Sequence, residues 1–181
     1  MLDRGAEGFT YTETSSIGGL VDQTTTVVLD PSGGMKSVRQ SGTVQGQPAS
    51  IELDYGNGRV RGKASTVGAD GAKSVSIDTT VAPGTVDDNL IQGILPALSL
   101  APDQSWEVGV FIGASSEYRV TTLKVAGTDR AATGTDTLST FRVEWSGVAA
   151  ATTFWITSEQ PHQILKIALA GAPIEIVRVT K

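Results

Sequence analysis

Cysteine is absent from the 181 residues, and histidine occurs only once. Without thiols there is no disulfide, no thiolate nucleophile and no sulfur-ligated zinc, although this lack leaves the redox compartment open, since exported bacterial proteins also do without cysteine. No run approaches the ~20 apolar residues of a helical membrane span, and the opening MLDRGAEGFTYTET has no apolar signal core. An exported form would have lost its signal ahead of Met1. Cations are also few: 14 Lys and Arg stand against 19 Asp and Glu, for a formal net charge of -5. They are scattered rather than striped, which argues against a DNA or RNA partner.

What is present favours short strands. Apolar residues make up 39% and charged residues 18%, and Thr, Ser, Gly, Val and Ala fill the rest, a mixture suited to β-structure and not to disorder. The length predicts one domain over residues 1–181 with a single sizeable core. Alternating runs broken by turn residues recur from the start: FTYT, then TTTVVLD, then the turn PSGG into MKSVRQSGTV, then QGQP into ASIELDY.

The stretch LDYGNGRVRG, residues 53–62, has three glycines within seven positions. A dinucleotide fingerprint requires G-x-G-x-x-G between a strand and a helix; here the spacing is G-x-G-x-x-x-G, and alternation resumes at once. The stretch therefore predicts a hairpin turning at Gly56-Asn57-Gly58. A further hairpin is predicted at Gly68-Ala-Asp-Gly71.

The period changes once. In TVDDNLIQGILPALSL the apolar residues follow helical spacing, predicting one short helix over about 87–95, with Thr85 as its cap, Asp87 and Asp88 at its positive end and Pro96 as its stop. Strands return at 105–113, 117–127, 137–147, 150–159, 163–171 and 173–181. Together these predict an all-β antiparallel meander of about ten to twelve strands, near the limit at which a sheet curls into a barrel or clam.

The order LDYGNGRVRG, ILPALSLAPDQSW, VFIG, LKVAGTDRAATGTDTLSTFRVEWSG and FWITSEQPHQILKIALAGAPIEIVRV resembles an uncharacterised family of bacterial exported β-rich proteins. The resemblance covers roughly residues 50–180 and its motifs are structural. It implies a barrel or half-barrel shaped like the periplasmic lipoprotein carriers and an exported, periplasmic location, and it carries no functional residue across.

Candidate chemistry is sparse. His162 lies in the turn SEQPHQ, no G-x-S-x-G elbow accompanies it, and it is expected to be an exposed turn residue. One histidine without cysteine, and no calcium-loop pattern, predicts no metal site; no catalytic residue and no cofactor is predicted either. Asp87 and Asp88 read as helix-start acids more readily than as a hydrolytic pair. Arg59, Arg61 and Lys63 alternate along one strand and share a face, as a patch for an anionic head group or as a solvated edge. The leading expectation is a non-enzymatic exported protein binding a lipid-like apolar or amphiphilic molecule in the concave face of a curved sheet. Leu90, Ile94, Leu98, Trp106, Phe141 and Trp145 would line it, and Arg59, Arg61 and Lys63 would attract its head group. The alternatives are a filled structural or interaction module of the cell envelope with a protein partner, and a hydrolase whose carboxylates meet only in three dimensions.

Overall fold

A computed structural model describes residues 2–68, 71–133, 136–172 and 175–177. The chain is all-β with one short helix, as its alternating patterns predict. Fourteen strands occur among the described residues, rather than ten to twelve: β1 (Leu2–Gly5), β2 (Gly8–Ile17), β3 (Val21–Leu29), β4 (Met35–Val44), β5 (Gln47–Gly56), β6 (Arg59–Gly68) and β7 (Gly71–Thr80), then β8 (Val86–Asp87), β9 (Ser105–Ile112), β10 (Glu117–Thr133), β11 (Asp136–Ser146), β12 (Thr152–Thr157), β13 (Ile164–Leu169) and β14 (Glu175–Val177). They form two seven-stranded sheets instead of one continuous meander, the first in the order β1 to β7 and the second running β14 back to β8. Both orders are linear and open, so neither sheet closes into a barrel. The break follows β7, where β8 pairs in parallel with β9 through Val86–Val110 and Asp87–Phe111.

Two compact units result: residues 1–93 with 109–118, and residues 94–108 with 119–181. The first contains the whole first sheet, every pair of which is antiparallel. One cross-strand row, Tyr11–Val27–Val38–Leu53–Gly62–Ile77, forms the middle of its buried face, and Val27, Val38 and Leu53 are wholly buried. Burying each such side chain contributes about 1.5–3 kcal/mol before entropy is counted. Gly62 stands in that row because a Cβ there would lie 1.9 Å from the Glu52 carbonyl oxygen, with φ at +152°. The predicted hairpin is present: Gly56 pairs with Arg59 across Asn57 and Gly58, whose φ values of +51° and +69° are those of a type I′ connection. Of the next predicted turn, Ala69 and Asp70 lie outside the described residues, and the strands on either side meet at Gly68 and Gly71.

The second unit's core lies on one face of β10 to β13, in the row Val125–Val143–Phe154–Ile167, with Ile156 and Leu165 buried beside it. The strand predicted over 173–181 is described only at β14, with residues 173–174 and 178–181 outside the described ones.

The predicted helix is three short pieces: a 3-10 turn at Asp88–Leu90, α1 at Ile91–Ile94 and a second 3-10 turn at Leu95–Ala97, which admits Pro96 in its first turn. Its cap is Asp87, not Thr85. The Asp87 carboxylate accepts from the Asn89 amide at 3.0 Å, while the Thr85 hydroxyl turns back to donate to the Ala82 carbonyl at 2.6 Å. His162 also departs from expectation: it is buried, its Nδ1 donates to the Thr157 carbonyl at 2.7 Å, and its ring meets Phe141 edge-on at 5.9 Å. An imidazole within reach of both a carbonyl and an aromatic ring is held inward despite the polar turn around it.

Candidate functional site

In the first unit, chain alternation gathers several turns at one end of the sheet. Antiparallel neighbours reverse direction at each hairpin, so the β3–β4 turn, the β5–β6 turn and the exit from β7 all emerge on the same side. Between them lies a cleft of about 360 Å³. Met35, Val81, Ala82, Pro83 and Val86 supply apolar wall, and Asp30, Lys36 and Arg59 supply charge. The β3–β4 turn is organised by Asp30, whose Oδ1 accepts from the Ser32 hydroxyl at 2.6 Å, the Ser32 amide at 2.8 Å and the Gly34 amide at 2.9 Å. Those donors hold its carboxyl below the usual range, Ser32 contributing most. Val81 is tied to the opposite wall by its amide, which donates to the Gly58 carbonyl at 2.9 Å.

Tyr55 joins this cleft to two adjacent acids, Asp87 buried and Asp88 half-buried. Its ring lines the cleft and meets Phe111 edge-on at 6.4 Å, and its hydroxyl donates to Asp87 Oδ2 at 2.5 Å. Asp87 is wholly buried, and its Oδ1 also accepts from the Asn89 side chain at 2.7 Å. Asn89 in turn accepts from Gln40, which also donates to Thr25, so the polar cluster is hydrogen-bonded through to β3 and β4. The Asp88 carboxyl bonds to that of Asp87 and accepts from the Gly113 amide; burial, and then the Asp87 charge, push its pKa well up. Burial also raises Asp87, against the pull of the Tyr55 and Asn89 donors, and raises the Tyr55 hydroxyl. Two adjacent carboxylate charges in a desolvated setting repel, which favours a protonated carboxyl in the pair. Neither acid lines the cleft. Their bonds orient Tyr55 and start the helix.

The predicted site residues separate. Arg59 lines the cleft; Arg61 and Lys63 lie along the same outer face of β6. Each of the three meets an acid across the sheet: Arg59 and Arg61 bond Asp78 at 2.7 and 3.2 Å, and Lys63 meets Glu52 at 3.4 Å. These donors, led by Arg59, keep Asp78 below the usual carboxylate range. Leu90 is packed into the first unit's core with 2% exposure. Ile94, Leu98, Trp106, Phe141 and Trp145 belong to the second unit, where each is half-buried. Sequence reasoning missed Tyr55, Lys36 and the 81–86 wall. The signal was available in the odd-to-even spacing of the turns, which places those loops together once strand direction is counted.

The first unit is thus an open antiparallel sheet with a small half-apolar cleft among its end loops, and the sequence carries no motif for a particular reaction. Residues 7–174 match the model of DUF3108, a family described as a protein of unknown function, and the chain belongs to that family. The expected membership of an uncharacterised family is thereby met. No curated protein and no solved structure matches the chain.

Proposed function

We propose that this chain is a non-enzymatic, exported bacterial protein that binds an apolar or amphiphilic molecule, and that the first unit's end cleft receives the head and adjoining chain of a single-chain anionic amphiphile. The cleft carries the proposal: its volume of about 360 Å³ is in the range of small-molecule sites, and apolar side chains line it while Lys36 and Arg59 supply cations. Lys36 forms the charge anchor, since Arg59 already shares Asp78. The exported setting, and the kinship in shape with lipoprotein carriers, rest on the sequence resemblance.

Native mass spectrometry of the protein with dodecyl phosphate, dodecanol and dodecane tests this reading. A one-to-one adduct with dodecyl phosphate that exceeds the other two, and that falls about 10-fold in affinity in Lys36→Gln, is expected; that loss equals about 1.4 kcal/mol. A clean apo mass with all three probes overturns it. That result would favour a filled envelope module, the reading supported by the wholly buried Val27, Val38, Leu53, Val60 and Phe111.

A further inference from the structure

β7 ends the order of the first sheet and pairs only with β6. It runs for 10 residues, whereas the other edge strands, β1, β8 and β14, have four, two and three described residues. Its ladder with β6 is unbroken from Arg59–Thr80 to Gly68–Gly71, with no bulge. Edge strands are ordinarily kept from pairing by shortness, proline, bulges or several charges. β7 has no proline, and its only charges are Lys73 and Asp78. Residues 72–76 are all exposed, Val75 at 44% although it shares a face with the buried Ile77. One bond fixes where the backbone groups point. The Val81 amide donates to the Gly58 carbonyl at 2.9 Å, so the odd-numbered residues turn their N–H and C=O toward β6. Strand alternation then turns those of Ala72, Ser74, Ser76, Asp78 and Thr80 outward.

We propose that β7 pairs antiparallel with β7 of a second copy of this chain, about a two-fold axis at Ser76, joining the two first sheets into one. Self-complementarity selects this occupant. With Ser76 opposite itself, Ser74 stands opposite the second copy's Asp78 and Ala72 opposite its Thr80, so each of the five outward residues both donates and accepts across the axis. Shifting the axis by one or two residues leaves Thr80 or Ala72 outside the ladder, and an axis at Asp78 sets carboxylate against carboxylate. In the chosen register no like charges face each other, since Lys73 meets the second copy's Thr79. On the inner face Val75 meets the second copy's Ile77, a β-branched pair that covers the exposed methyls. Each copy uses its one β7 edge, so the assembly closes at two. The pairing does not depend on a ligand in the end cleft.

The test is sedimentation velocity of the whole chain from about 5 to about 500 µM. A monomer–dimer equilibrium with a dissociation constant of about 10–100 µM is expected, because a single strand pair is a small interface. Ser76→Pro removes an outward N–H and sets its ring at the axis, while the ladder to β6 does not use that N–H. It should weaken the dimer about 10-fold or more with the far-UV circular dichroism unchanged. Should that variant fail to fold, Ser76→Glu carries the test: the new carboxylate faces Lys63 within the chain and its own copy across the axis. Its dimer should be about 10-fold weaker, with the loss shrinking as salt is raised. A wild-type chain that stays monomeric to the top of the concentration range overturns the proposal and leaves the edge to a strand of another protein. A dimer that the folded variants keep at wild-type strength also overturns it, since that dimer would use another surface.

Discussion

Replacing Asp88 by Asn should make the protein more stable at neutral pH and remove a pH slope that the wild type possesses. In the folded state Asp88 donates its proton to Asp87 and accepts from the Gly113 amide, and burial raises its pKa well above the ordinary value. An unfolded aspartate titrates near 3.9, so above about that pH the folded chain retains a proton that the unfolded chain has lost. Stability contributed by the pair is therefore fully present below the unfolded pKa and falls as pH rises through the folded one. One retained proton corresponds to about 1.4 kcal/mol per pH unit inside that window. Asparagine keeps a donor toward Asp87 and an acceptor toward Gly113 but does not titrate, so the slope should flatten. Asp30, Asp78 and Asp129 are shifted the other way, and their contributions are lost as pH falls through their lowered folded-state values, below the window of Asp88. Urea unfolding of both proteins at steps between about pH 4 and pH 8 separates the two effects. Equal slopes in wild type and Asp88→Asn, or wild-type stability that rises across this window, would refute the shared proton.

Three further outcomes follow from the same packing. Tyr55→Phe removes a donor from the buried Asp87 carboxylate and should cost about 1–3 kcal/mol in denaturant unfolding, with Phe111 contact retained; a neutral result would mean that Asp87 needs no phenol. Gly62→Ala forces a Cβ against the Glu52 carbonyl at φ +152° and should lower stability by about 2 kcal/mol or more, whereas Gly56→Ala, with open space around it, should shift it by less than about 1 kcal/mol. Equal effects of the two substitutions would remove the close-approach explanation. Arg61→Gln breaks an exposed pair with Asp78 and should change the unfolding free energy by under about 1 kcal/mol, because water and the neighbouring Arg59 already screen that charge.

The hairpins were legible because their signals are local. Asn57-Gly58 tolerates the positive φ of a two-residue turn, and the alternation of LDY and RVR fixes which side chains face inward, so β5 and β6 follow from ten residues. The helix was legible in place but not in detail: Asp87 caps it, its carboxylate held by donors from Tyr55, 32 sequence positions away, and from Asn89. Val110 and Phe111 are neighbours on β9, and strand alternation alone would bury one of the two. Pairing with β8 on one edge and the ring of Tyr55 make both residues wholly buried. His162 reads as a surface residue from its polar neighbours, yet Phe141 and the Thr157 carbonyl draw it inside.

Strand content, turn positions and the lack of thiol or basic-stripe chemistry were decided by composition and short-range pattern, because backbone preferences and side-chain alternation act over a few residues. The split into two open sheets, the acid pair behind Tyr55 and the cleft among the end loops depend on which strands meet and on which side chains water leaves. Those are contacts between residues distant in the chain, and their energies arise from burial and desolvation that no local spacing records.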